Sequence, residues 1–112
     1  VFGLPLLADR LHWAIEWLQQ QPQTRDLPLG VFGASTGAGA ALQVVAQFPE
    51  VIQAVVSRGG RHDLAKPFLS KVKPPTLLIV GGHDVPVLQL NREAMLCLTC
   101  PRELTIVPGA SH

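Results

Sequence analysis

Ser35 stands where a short apolar run breaks into a long one. Leu29 to Phe32 leads into Gly33-Ala34-Ser35-Thr36-Gly37, and the Ala/Val/Leu-rich stretch from Ala38 to Phe48 follows. This order predicts a strand, a turn with no spare residues, and a helix. A Gly-x-Ser-x-Gly turn of this kind places serine at a sharp bend, with its hydroxyl at the carboxyl end of the strand. The glycines are expected to give the bend room. The first amides of the following helix would point at the same spot and favour negative charge there. Ser35 is therefore a candidate nucleophile, and the Thr36 N–H a candidate donor to an oxyanion.

The same period-reading organises the rest of the chain. A helix is expected over 5–21, with Leu7, Leu11, Ala14, Ile15 and Leu18 on its apolar face. Trp13 and Trp17 lie one turn apart and are expected to pack. Pro22 ends this helix, and a polar loop leads to the strand at 29–33. The helix after the turn carries only Gln43 and Gln47 as polar residues, so it should be buried on most sides. Further strands are expected at 53–57, 76–80 and 103–107. A short helix over 64–70, limited by Pro67, and a helix over 87–98 with Leu90, Ala94, Met95 and Leu98 inward separate them. Alternating strands and helices imply an α/β fold with a parallel sheet of about four strands and helices on both faces.

In a parallel sheet the carboxyl ends of the strands share one edge, where sites are built. Three strand ends carry reactive groups: Ser35 after the first, Asp84 after the third and His112 after the fourth. A hydroxyl needs a base beside it to act as a nucleophile near neutral pH. Imidazole has a suitable pKa, and a carboxylate can fix its tautomer and stabilise its charged form. Arg58 and Arg61 follow the second strand on the same edge. Each could hold a carboxylate or phosphate of a substrate by paired hydrogen bonds, or could pair instead with Asp63. His62 and His83 lie in loops at this edge, where either could touch substrate but a solvated role is the commoner one. His12 sits on the first helix, with a surface or packing role. Cys97-Leu98-Thr99-Cys100 closes a helix rather than opening one, so a redox role is not expected of it, and one such pair is too few for a structural zinc site.

Composition narrows the function classes. Of 112 residues, 47% are hydrophobic and 15% charged, which predicts a globular chain. A net charge of +1 gives no reason to expect nucleic acid or an anionic membrane surface. No apolar run approaches the ~20 residues of a membrane span. Two cysteines, with no visible leader, suggest a reducing, cytoplasmic setting. The chain begins with Val1 and ends on His112, so it reads as part of a longer protein.

These motifs resemble the carboxyl-terminal half of an α/β-hydrolase of the dienelactone-hydrolase-like family. The resemblance rests on Phe32 to Gly39, on Val56-Ser57-Arg58-Gly59-Gly60-Arg61 with Asp63-Leu64-Ala65, on Pro75 to Gly82 with Asp84, and on Pro108-Gly109-Ala110-Ser111-His112. It implies a serine hydrolase acting on an ester, lactone or related acyl compound without a cofactor or metal. Ser35 would be the nucleophile, Asp84 the acid, His112 the base and the Thr36 amide half of the oxyanion hole. The family's opening strands, with the loop supplying the second oxyanion donor, and its closing helix are not in the chain. Better-known dienelactone hydrolases carry cysteine where Ser35 stands.

Two other readings fit parts of the sequence. Gly33-Ala34-Ser35-Thr36-Gly37-Ala38-Gly39 also matches the Gly-xxx-Gly-x-Gly turn of NAD(P)-binding short-chain dehydrogenases, with Arg58 placed for a 2′-phosphate. That reading leaves Asp84 and His112 idle, and the chain contains no tyrosine for the Tyr-xxx-Lys pair those enzymes use. A non-catalytic, hydrolase-like remnant would instead use an exposed sheet edge for self-association or partners.

Overall fold

The first helix, α1 (Leu4–Gln20), buries Ala8 and Ile15 and half-buries Leu7, Leu11, Ala14 and Leu18. These residues recur at helical spacing, as expected. Trp13 and Trp17 do not pack: they are 67% and 47% exposed. Each lies two positions beyond Leu11 or Ile15, about 200° around a 3.6-residue helix, so a helix that buries one stripe turns the other outward. The computed structural model describes residues 3–112.

After α1 come β1 (Leu29–Ala34), α2 (Thr36–Val45), β2 (Ile52–Arg58), a 3-10 helix (His62–Lys71), β3 (Thr76–Gly81), α3 (Val85–Cys97) and β4 (Arg102–Val107). The 3-10 helix is longer than expected and runs through Pro67. Its tight i→i−3 turns lose one donor at proline but avoid the clash with the i−4 carbonyl that an α-helix would suffer. Helix α2 stops three residues short of Phe48. The chain continues in tight turns through bonds from Gln47 N to Val44 O (2.8 Å) and from Phe48 N to Val45 O (3.0 Å). In α3 the buried residues are Val87, Asn91 and Ala94. Leu90 and Met95, expected inward, are only half-buried.

The four strands are parallel and lie in sequence order, β1-β2-β3-β4. This order corrects one expectation. Every crossover steps in the same direction across the sheet, and right-handed crossovers then deliver α2, the 3-10 helix and α3 to the same face. α1 packs on α2, α2 on the 3-10 helix, and that helix on α3, forming one layer rather than two. The core lies between this layer and the sheet. Leu42, Val44, Val45, Val55, Leu69, Leu78 and Leu98 are almost fully buried there.

The opposite sheet face has no helix among the described residues. The registered row Phe32, Val56, Leu77, Glu103 crosses it, and Phe32 is 65% exposed. No helix among the described residues is long and apolar enough to cross a membrane. A bare apolar sheet face with two open edge strands favours self-association. The isolated 112-residue chain should therefore sediment as oligomers, and Phe32→Glu should shift it toward monomer. A monodisperse monomer with Phe32 intact would contradict this.

Candidate active site

Only Ser35 separates β1 from α2. It adopts φ 52°, ψ −125° and is the one non-glycine residue with positive φ among those described. A backbone of this kind costs of order 1–3 kcal/mol and persists only where its surroundings impose it. Three bonds do so here: Ser35 N–H donates to Arg58 O (3.0 Å), while Ser35 O accepts from Ala38 N–H (3.1 Å) and Arg61 N–H (3.1 Å). The two glycines of the turn are not equivalent. A Cβ on Gly33 would lie 2.8 Å from Ala38 Cα and from the Gly37 carbonyl, whereas one on Gly37 would meet open space. The room the bend needs is therefore at Gly33. Thr36 opens α2, so its N–H belongs to the first turn, whose amides have no intrahelical acceptor.

Asp84 follows β3 and caps α3 without a side-chain capping bond, so its carboxylate is available elsewhere. The segment after β4 folds back over the end of β3. His83 N–H donates to Ala110 O (2.9 Å) and Gly82 N–H to Val107 O (2.8 Å). This fold-back delivers His112. Its Nδ1 is 2.6 Å from Asp84 Oδ2, and its Nε2 is 3.2 Å from Ser35 Oγ. Three side chains from three strand ends thus form one hydrogen-bonded line. Asp84 is the more sheltered, its side chain 11% exposed against 46% for His112.

Arg61 forks onto Asp63, Nε to Oδ1 at 3.1 Å and Nη2 to Oδ2 at 3.0 Å. The pair raises the arginine's pKa and lowers the aspartate's. Arg61 therefore takes the intramolecular partner that the sequence offered it. Arg58 is exposed and donates from Nη1 to the His112 carbonyl at 2.9 Å. His83 is exposed, as expected. His12 pairs with Glu16 at 2.8 Å and stacks at a tilt on Phe48. Cys97 and Cys100 are free thiols. No cluster of metal-ligating side chains occurs among the described residues.

His62 departs from its expected solvated role. It is 1% exposed and its Nε2 lies 2.9 Å from Ser57 Oγ. Asn91 stands nearby, donating to Gly60 O (3.0 Å) and Val87 O (2.8 Å). Ser57, His62 and Asn91 imitate the residue types of a nucleophilic site, but all three are almost fully buried. Asn91 was missed in the sequence, where it occupies an apolar position one turn after Val87.

Comparison with known proteins bears on family and fold. Residues 11–100 match the profile of the family described as BAAT / acyl-CoA thioester hydrolase C terminal. The chain belongs to that family. It is 55% identical to a dienelactone hydrolase from Anabaena variabilis, with a TM-score of 0.95 over 98% of this chain and 51% of that one. A predicted CIB-like hydrolase from Thermoplasma acidophilum shares the fold at 23% identity and a TM-score of 0.74, covering 98% of this chain and 51% of that one. The chain is also 57% identical, over its whole length, to a Mycobacterium tuberculosis H37Rv protein that bears a phosphoribosyl transferase name. It spans 25% of that protein and about half of each hydrolase. Family and fold are those of α/β-hydrolases, with the four-stranded parallel sheet and helices expected from the sequence.

Burial pushes the His62 pKa down to about 4, against smaller upward effects of the Asp63 charge and the Asn91 side chain. Below about pH 6.5 the unfolded chain takes up a proton that the folded chain refuses until about pH 4. Folding stability should therefore decrease as pH falls through that window, by roughly 3 kcal/mol in all. Urea midpoints measured from pH 7 to 4 on the full-length protein should fall more steeply for wild type than for His62→Gln. Equal slopes would contradict a buried neutral imidazole.

Proposed function

We propose that this chain carries the catalytic residues of a serine hydrolase acting on an ester, lactone or thioester through an acyl-Ser35 intermediate. The observation that carries this reading is the hydrogen-bonded line from Asp84 through His112 to Ser35, joining residues 28 and 77 positions apart. His112 Nε2 accepts the Ser35 hydroxyl proton as Oγ attacks the acyl carbonyl. Asp84, at Nδ1, holds the imidazole in the required tautomer and stabilises its positive charge. The Thr36 N–H donates to the oxyanion of the tetrahedral intermediate. His112 then returns the proton to the departing alcohol or thiol, leaving the acyl group on Ser35. A water molecule, deprotonated by His112, releases the acid and restores the serine.

The substrate class follows from what the relatives share. The family description names acyl-CoA thioesters, and the Anabaena neighbour is a dienelactone hydrolase. Both compounds present an activated acyl carbonyl, which this line of residues can attack without a metal or cofactor. The full-length protein should release p-nitrophenol from short acyl esters. Ser35→Ala and His112→Ala should each lower kcat by about a thousandfold or more, and Asp84→Asn by a comparable factor. Hydrolysis by Ser35→Ala at the wild-type rate would overturn the proposal.

A further inference from the structure

We propose that Asn91 and His62 are positioning residues for the nucleophile: they fix the loop over 58–61, which in turn holds the backbone of Ser35. The inference rests on the serine-hydrolase reading and adds two residues to it. The loop grips Ser35 at both of its backbone polar groups. Arg58 O accepts from the Ser35 N–H at 3.0 Å, and the Arg61 N–H donates to Ser35 O at 3.1 Å. The φ of 52° at Ser35 therefore persists only while Arg58 and Arg61 keep their places.

That loop has little of its own to hold it. Its middle is Gly59-Gly60, with no side chains to pack and a wide choice of backbone conformations. Neighbouring elements impose its shape. Gly59 N–H donates to Ile79 O of β3 at 2.8 Å. Asn91 on α3 uses both hydrogens of its amide, one to Val87 O in its own helix (2.8 Å) and one to Gly60 O (3.0 Å). The first bond orients the side chain and the second clamps the loop. A Cβ on Gly60 would collide with the imidazole of His62 and the hydroxyl of Ser57, so these two groups fill the place of the missing side chain. His62 Nε2 and Ser57 Oγ are 2.9 Å apart, which ties the imidazole to β2. Every contact in this line lies between Ser35 and Asn91, far from both ends of the chain.

Stability alone does not account for a buried polar group of this kind. Ser57, His62 and Asn91 are almost fully buried, and burying an imidazole and an amide costs more than burying Leu or Val. What hydrogen bonds supply, and apolar contacts do not, is direction. A displacement of about 1 Å between reacting groups can cost on the order of a hundredfold in rate. A shift of the Gly60 carbonyl would pass through the Arg61 N–H to Ser35 O, and through the bend to the hydroxyl.

A positioning role and a folding role differ in what they move. In the full-length protein, Asn91→Leu keeps the branched outline of the side chain and loses both donors. It should lower kcat on a short p-nitrophenyl ester by about ten- to a hundredfold, with KM nearly unchanged. Labelling of Ser35 by a fluorophosphonate should slow by a similar factor, at a temperature where circular dichroism shows the variant fully folded. His62→Leu should do the same. His62→Gln should recover much of that loss, because its amide can reach Ser57 Oγ where the imidazole Nε2 stood. If Asn91→Leu does not fold, the two His62 variants decide. Wild-type kcat and labelling rate in the folded leucine variants would overturn the proposal, as would equal losses in His62→Leu and His62→Gln. Failure of both leucine variants to fold would show a role in folding alone and overturn it too. Ser35→Ala, assayed alongside, separates the two levels: if it is inactive while the leucine variants match wild type, only the positioning roles fail. If Ser35→Ala is itself active, the serine-hydrolase reading fails and takes these roles with it.

Discussion

A positive φ at Ser35 is an unfavourable conformation, and much of the surrounding structure is arranged so that it cannot relax. Helix α2 is buried on most sides and starts one residue later. Gly33 lets it approach β1 within a distance that no other residue would allow. The Arg58–Arg61 loop grips Ser35 from its carbonyl and its amide at once. A strain of order 1–3 kcal/mol is small beside the burial of a helix such as α2. The bend therefore holds without contact from any ligand, and it leaves the hydroxyl at the end of the strand with its direction set.

Parallel strand order does the rest. Because β1 to β4 are all parallel, the loops after β1, β2 and β3 and the segment after β4 all emerge along one edge. Ser35, the Arg58–Arg61 loop, Asp84 and His112 are brought together by topology before any side chain is chosen. Sequence order across the sheet puts α2, the 3-10 helix and α3 on one face, where α1 packs on α2. It leaves the row through Phe32, Val56 and Leu77 uncovered by any helix among the described residues. Parallel pairing thus gathers the site residues, and sequence order across the sheet leaves the apolar face bare.

The elements, and the residues of the hydrogen-bonded line from Asp84 to Ser35, were legible in the sequence because each leaves a local signature. β-branched runs mark the strands, the Gly-x-Ser-x-Gly turn marks the bend, and Asp and His at successive strand ends mark the edge. What was not legible depends on relations between elements. Placing the helices on both faces failed because strand order across the sheet leaves no local trace. Trp13 and Trp17 were expected to pack because aromatic residues usually do, yet the stripe holding Ile15 won the buried side. Burial of His62 depends on Ser57 and Asn91 standing around it, which no spacing rule conveys. The difference between Gly33 and Gly37 is likewise one of neighbours in space, since the two are alike in the motif.

The proposed chemistry depends on Ser35 acting as the nucleophile. Treating the full-length protein with a fluorophosphonate and locating the adduct by peptide mass spectrometry tests it most directly. The adduct should fall on Ser35 and disappear in Ser35→Ala, and His112→Ala should label far more slowly because the hydroxyl has lost its base. An adduct on another residue, or labelling that persists in Ser35→Ala, would contradict the assignment.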